Sequence, residues 1–281
     1  SDDRINYWGY TRGFYFAPKA SYCATKEPDR EFRDMIRALH KAGIECIMEI
    51  YFPKGTPSLQ MIRSLWFWKL YYHVDGFHLL GDGVQQDVIE QDPILYGTKK
   101  LFSNVSGEAD AENMLAEYNA GFMLDMRRFL KSDEGMISGA EFHMRRNTGN
   151  FGTVNYMATQ DGFTLYDTVS YNYRHNEANG EDNRDGSEFN YSWNCGVEGS
   201  TRKTAVRRMR EQQMRNAFLM LLLSQGTPMI YGGDEFANSQ AGNNNVWCQD
   251  NPTGWTDWKN ARRHTGLSSF VKEAIAFRKN H

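Results

Sequence analysis

The densest concentration of ligating side chains in this sequence is His175 followed by the acidic, asparagine-rich run from Glu177 to Asn190. Carboxylates, amides and an imidazole gathered in one segment form a donor set suited to a hydrated ion. The spacing matches no calcium-loop pattern, so hydrogen bonding within a loop is the expected use. Cys23, Cys46, Cys195 and Cys248 are scattered without C-x-x-C spacing, which argues against a zinc site or a disulfide framework. Free thiols point to a reducing compartment, and the expected location is cytoplasmic. Six basic residues between Arg202 and Arg215 read as one solvated helix face. The polar stretch from Gly162 to Gly199 is too long for an ordinary connection and suits a functional lid or the wall of a site.

These residues must be positioned by regular elements, and the apolar pattern supplies them. Phe32, Met35, Ile36 and Leu39 recur at helical spacing within Asp29 to Ala42, with Gly43 as a left-handed stop. Ile44 to Phe52 is nearly all apolar or β-branched, as expected of a strand buried on both faces of a parallel sheet. A second helix starts at Pro57-Ser58 and a strand runs from Val74 to Leu80, completing a βαβ unit. Strands are expected near Lys100-Leu101-Phe102, at Thr153 to Thr159 and at Thr227 to Tyr231. Helices are expected at Gly121 to Leu130, Lys203 to Ser224 and Leu267 to Phe277. This alternation implies a parallel α/β sheet, barrel or doubly wound.

A length of 281 residues is what one (β/α)-type barrel occupies, so residues 1–281 are expected to form a single large domain. Net charge is −3 with both signs interspersed, which gives no footprint for nucleic acid or an anionic membrane. No run approaches the roughly 20 apolar residues of a membrane helix. Ser1-Asp2-Asp3 shows no charged leader, and a removed signal would leave no trace.

Three blocks carry a resemblance. The first is Asn6-Tyr7-Trp8-Gly9-Tyr10 with Phe16-Ala17-Pro18. The second is Asp161-Gly162-Phe163-Thr164-Leu165, continuing through Val169-Ser170-Tyr171-Asn172 and His175-Asn176-Glu177-Ala178-Asn179-Gly180-Glu181 to Trp193-Asn194-Cys195-Gly196-Val197-Glu198-Gly199. The third joins Gly226-Thr227-Pro228-Met229, Gly233-Asp234-Glu235-Phe236, Gly242-Asn243-Asn244-Asn245 and Cys248-Gln249-Asp250. Together they resemble the isoamylase and glycogen-debranching branch of glycoside hydrolase family 13, over nearly the whole chain. The resemblance implies a TIM-like (β/α)8-type barrel, incomplete because the family's first strand is missing, and hence a fragment of a longer protein. Only six residues separate Phe52 from Leu59, where family members carry a long loop after their third strand that walls the substrate cleft.

The resemblance also implies a retaining mechanism, which needs two carboxyl groups about 5–5.5 Å apart, one to attack and one to protonate. The family's nucleophile closes the word Gly-Phe-Arg-Phe-Asp, which here reads Gly76-Phe77-His78-Leu79-Leu80. Leu80 therefore replaces the nucleophile and His78 the arginine. The general acid closes Lys-Leu-Ile-Ala-Glu, here Lys100-Leu101-Phe102-Ser103-Asn104, so Asn104 stands where a proton donor is required. The family's His-Asp pair on the seventh strand reads Gln160-Asp161, and its Asp…Asn-His on the third reads Glu49…Pro53-Lys54. Of the three catalytic carboxylates only Asp161 remains, free to hydrogen-bond a sugar hydroxyl or to hold the turn before Gly162. Asp82 lies two residues past Leu80 and, at about 3.3 Å per strand residue, roughly 6–7 Å further along, too far to substitute. Glu49 meets the same objection and is expected to bond Lys54 or backbone.

Sugar binding asks less: an aromatic platform and a few polar groups in a concavity. Tyr10 matches the family tyrosine that stacks on the sugar, and Trp8, His175 and Trp247 lie in matching blocks, with core packing the competing role for Trp8. An inactive relative that binds α-glucan of the glycogen or starch kind, or regulates a partner, is the leading expectation. Residual α-1,6-debranching hydrolysis and an interaction module with a filled cleft are the competing ones. No cofactor or metal is implied. The missing first strand is expected to leave open edges near Phe14 to Phe16 and Met229 to Tyr231, which invite a homodimer.

Overall fold

The computed structural model describes residues 4–11, 13–107 and 110–281, so Ser1-Asp2-Asp3 lies outside the described residues. The chain divides into two compact units. One comprises Gly9–Tyr118 with Thr148–Thr153, the other Asn119–Asn147, Val154–His281 and the segment up to Trp8.

In the first unit, α1 (Pro28–Lys41) opens on Pro28, where a missing N–H removes no helical bond. Asp29 and Glu31 in its first turn and His40 and Lys41 in its last complement the helix dipole at both ends. Then follow β1 (Ile47–Tyr51), α2 (Ser58–Tyr72), β2 (Gly76–Leu80), α3 (Gln86–Glu90), β3 (Lys99–Phe102) and β4 (Leu115–Asn119). Consecutive strands pair in parallel, with Glu49 opposite His78, Tyr51 opposite Leu80 and Leu79 opposite Phe102. Side chains alternate along a strand. Phe77 and Leu79 therefore enter a core with Phe52, Leu65, Trp68 and Tyr72, while His78 and Leu80 occupy the other face of β2.

Two expectations are corrected here. Phe14 to Phe16 is not a strand: Phe14 is exposed, and the Tyr15 carbonyl accepts from the Trp68 indole N–H at 2.8 Å instead of from a neighbouring strand. Nor is Ile44 to Phe52 buried on both faces, since Ile44, Ile47 and Glu49 are exposed. Among the described strands of this unit β1 pairs only with β2, and Ile47 and Glu49 on one of its faces are exposed.

The second unit contains α4 (Ala120–Leu130), capped by the Asn119 side chain, which accepts from the Phe122 N–H at 3.1 Å. It continues with α5 (Ile137–Arg145), the part of β5 (Gly152–Tyr156) from Val154 onward, α6 (Leu165–Thr168), α7 (Thr204–Leu223), β6 (Thr227–Met229), α8 (Trp258–Arg263) and α9 (Thr265–Asn280). β5 and β6 pair in parallel, Val154 opposite Thr227 and Tyr156 opposite Met229. Phe122, Met126, Val169, Met214, Phe218, Leu221 and Val271 form the core. The six basic residues from Arg202 to Arg215 are not all on a solvated face: Arg210 is buried, because it occupies the apolar stripe of α7 with Met214, Ala217 and Leu221.

Candidate active site

Parallel pairing of β1 with β2 puts Glu49 and His78 directly opposite each other, and their side chains meet: His78 Nδ1 lies 2.7 Å from Glu49 Oε2. The Tyr10 hydroxyl donates to the other carboxylate oxygen, Oε1. Tyr118 of β4 covers the imidazole, the rings stacked with centroids 4.1 Å apart. The second ring nitrogen of His78, Nε2, is buried without a hydrogen-bond partner. Both oxygens of Glu49 are thus engaged, by partners the sequence reading did not foresee. The cause is register: across a parallel pair the opposite residue is nearer than one five positions along the chain.

Leu80 ends β2, two residues beyond His78 and opposite Tyr51. It is half-buried. Directly after it, Gly81 takes a φ of +97, so the alternation of the strand stops before Asp82. A side chain at Gly81 would meet the Phe52 carbonyl and one at Gly83 the Pro53 carbonyl. Asp82 is therefore the exposed middle of a turn backed onto the short Phe52–Pro53 segment, and does not continue the face of Leu80. Asn104 is exposed two residues past β3, beside an open depression of about 550 Å³ to which β2 contributes Leu79 and α3 contributes Gln86 and Asp87.

The remaining site candidates belong to the second unit. Asp161 follows β5 in a tight turn, with the Thr159 hydroxyl donating to its carbonyl at 2.9 Å. Although much of Asp161 is exposed, enough protein surrounds its carboxyl that desolvation pushes it above the ordinary carboxylate range. Gln160 beside it is half-buried. His175 Nε2 lies 3.2 Å from Glu198 Oε1. Burial alone would raise Glu198, but N–H groups of Asn172 and Tyr173 and the side chains of Asn194 and His175 outweigh it and hold the carboxyl low. Trp8 and Trp247 are both half-buried, and the Trp247 carbonyl accepts from the Tyr7 N–H at 2.8 Å.

The long polar loop is braced by its amides, as expected of loop hydrogen bonding. Asn176 bonds the Asp185 carbonyl and Asn244, Asn179 bonds Asp185 and the Asn245 carbonyl, and Asn244 bonds Asn190, all at 2.7–2.8 Å. Asn176, Asn179 and Asn244 are fully buried, so this segment is a fixed wall. Two buried arginines, unforeseen from the sequence, extend the bracing. Arg127 donates to the carbonyls of Met157, Asn190 and Phe163, and Arg210 to those of Gly199, Asn194 and Val197. The available signal was an arginine within an apolar helical stripe. Asp167 and Asp234 are also buried, which pushes their carboxyls up to about 6 and about 7.

Known proteins resemble this sequence along nearly its whole length. It is 32% identical to the glycogen operon protein GlgX homolog of Mycobacterium bovis, across 98% of this chain and 49% of that protein. Identity is 33% to the glycogen debranching enzyme of Dickeya chrysanthemi, across 98% of this chain and 52% of that one. Over nearly its whole length the chain is a homologue of the isoamylase and glycogen-debranching proteins. No protein-family model matches it. It spans about half the length of these debranching relatives, and the Mycobacterium alignment runs over 354 positions against 281 residues here, so insertions of the relative fall inside the matched region. Among solved structures, the pullulanase of Bacillus acidopullulyticus superposes with a TM-score of 0.72 at 17% identity, covering 99% of this chain and 40% of that one. The Paenibacillus barengoltzii pullulanase in complex with maltohexaose and α-cyclodextrin also gives 0.72, at 18% identity, covering 100% and 52%. The fold is accordingly the α/β barrel fold of the debranching enzymes, in partial form.

Proposed function

We propose that this chain is a catalytically silent relative of the α-glucan debranching hydrolases, one that keeps a surface for α-glucan. The observation that carries the reading is Leu80 at the carboxyl end of β2, because an alkyl side chain has no lone pair with which to attack an anomeric carbon. Two further facts support it. Asn104, beyond β3, carries amide protons too weakly acidic to protonate a leaving group, and Glu49, on the strand beside β2, has both oxygens engaged by Tyr10 and His78. Barrel enzymes place catalytic groups at carboxyl strand ends; here Leu80 closes β2, and Asn104 and Asp161 lie two and five residues past β3 and β5. Pullulanases of the same fold form complexes with maltohexaose and maltotetraose, which supports a maltooligosaccharide as ligand. Tyr10, Trp8, His175 and Trp247 are the contact candidates.

A second reading, a cleft filled by its own side chains, is favoured by Tyr10. Its hydroxyl is committed to Glu49 and its ring leans on Tyr51 at 5.8 Å. Product analysis on pullulan and glycogen tests the silence: no reducing sugar is expected, and any turnover by the purified chain would overturn it, with survival in Asp82→Ala excluding Asp82 as the source. Titration with maltohexaose separates the two readings. Saturable binding weakened about tenfold by Tyr10→Ala supports the glucan surface, and no binding supports the filled cleft.

A further inference from the structure

Within the second unit, a pocket of about 310 Å³ is lined by Arg207, Arg208, Arg210, Glu211, Arg263 and His264, among others. Its size falls at the lower end of small-ligand sites, roughly 300–1,000 Å³. Four guanidinium groups face one carboxylate there, and that carboxylate, Glu211, is already paired with Arg215 at 2.7 Å. Among the described residues, Arg207, Arg208 and Arg263 pair with no carboxylate.

Two helices begin at this pocket. The 20-residue α7 starts at Thr204 and the 16-residue α9 starts after His264, and neither has a side-chain cap or an acidic residue in its first turn. Each leaves backbone N–H groups and the positive end of its dipole without an anion. Arg210 is 1% exposed and its two terminal nitrogens are bonded to carbonyls, so it fixes the wall of the pocket and leaves the exposed Arg207, Arg208 and Arg263 as the available donors. Burial lowers the pKa of His264; Glu211 pulls it up, and Arg207 and Arg263 push it down.

We propose that this pocket binds a small phosphorylated ligand, with Arg207, Arg208 and Arg263 holding its phosphoryl dianion at the amino-terminal ends of α7 and α9. Forked guanidiniums match phosphoryl oxygens, and helix amino termini add N–H donors and dipole. Tyr166 and Met214 offer an apolar wall for the remainder of the ligand. This site is independent of the hydrolase machinery and would survive its loss, giving a silent relative a means to sense phosphorylated metabolites.

Calorimetric and phosphorus-NMR titration of the whole chain tests it, with a hexose 6-phosphate, inorganic phosphate and unphosphorylated glucose as probes. Saturable binding of the hexose phosphate and none of glucose is expected, with affinity cut at least about tenfold by Arg207→Glu or Arg263→Glu. Both positions are exposed, and the milder Arg207→Gln should fall between them and the unaltered chain. Lys272→Glu, on α9 outside the pocket, should bind as the unaltered chain does. Equal affinity for inorganic phosphate would identify the free ion as the source of the dianion and keep the site. Failure of both phosphorylated probes to titrate would overturn the proposal, as would unchanged binding in Arg207→Glu and Arg263→Glu, or an equal loss in Lys272→Glu.

Discussion

Glu49 and His78 face each other across the β1–β2 pair with Oε2 and Nδ1 2.7 Å apart, and the same carboxylate accepts from Tyr10. Glu49→Leu strands a buried imidazole nitrogen and a phenol, and is expected to cost about 1–3 kcal/mol. The lower end applies, because the Glu49 side chain keeps 31% exposure. The double variant Glu49→Leu with His78→Phe should cost less than the sum of the single changes, since the second removes the stranded nitrogen. Urea unfolding measures both, and strict additivity would show that the pair is not coupled.

Acidity should act on stability through the two buried aspartates. Desolvation raises Asp167 to about 6 and Asp234 to about 7 from an ordinary 3.8. The native state therefore holds these protons more tightly than the unfolded chain. Their stabilising contribution is full below about pH 4 and is lost as pH rises through about 6 and about 7. Glu198, held low, acts oppositely and loses its contribution as pH falls below the ordinary carboxylate range. The urea midpoint should be higher at about pH 5.5 than at about pH 8, and Asp234→Asn should flatten the difference. A midpoint that climbs steadily across that interval would contradict the assignment.

Arg127 holds three carbonyls from a buried position, so Arg127→Lys keeps the charge but loses the fork. A loss of at least about 2 kcal/mol is expected, together with faster amide exchange around Asn190. Unchanged exchange there would mean the arginine does not brace the polar loop.

The helices were legible in the sequence because their signals are local: Pro28 and Gly43 bracket α1, and the apolar stripe of α7 runs through Met214 and Leu221. The proposal at Leu80 and Asn104 was open to sequence reading because the words around them keep the length of the family's words. β4 and α5 were not anticipated, as Leu115 to Asn119 carries Glu117 and Asn119 among few β-branched residues, and Ile137 to Arg145 is only weakly periodic. The partner of Glu49 was missed because it comes from the neighbouring strand, and register is set by tertiary pairing, which local spacing does not contain. Phe14 to Phe16 misled for the same reason, since an aromatic run forms a strand only where another strand accepts its hydrogen bonds.

The account rests on the absence of a nucleophile at the end of β2, and the most direct measurement looks for the bond such a nucleophile would make. Retaining hydrolases pass through a covalent glycosyl-enzyme, which a fluorinated, activated α-glucoside traps for intact-mass analysis. The unaltered chain is expected to gain no mass, and Leu80→Asp with Asn104→Glu is the variant in which an adduct is expected to appear. A stoichiometric adduct on the unaltered chain, mapped by peptide analysis to Asp82, Glu49 or Asp161, would contradict the account.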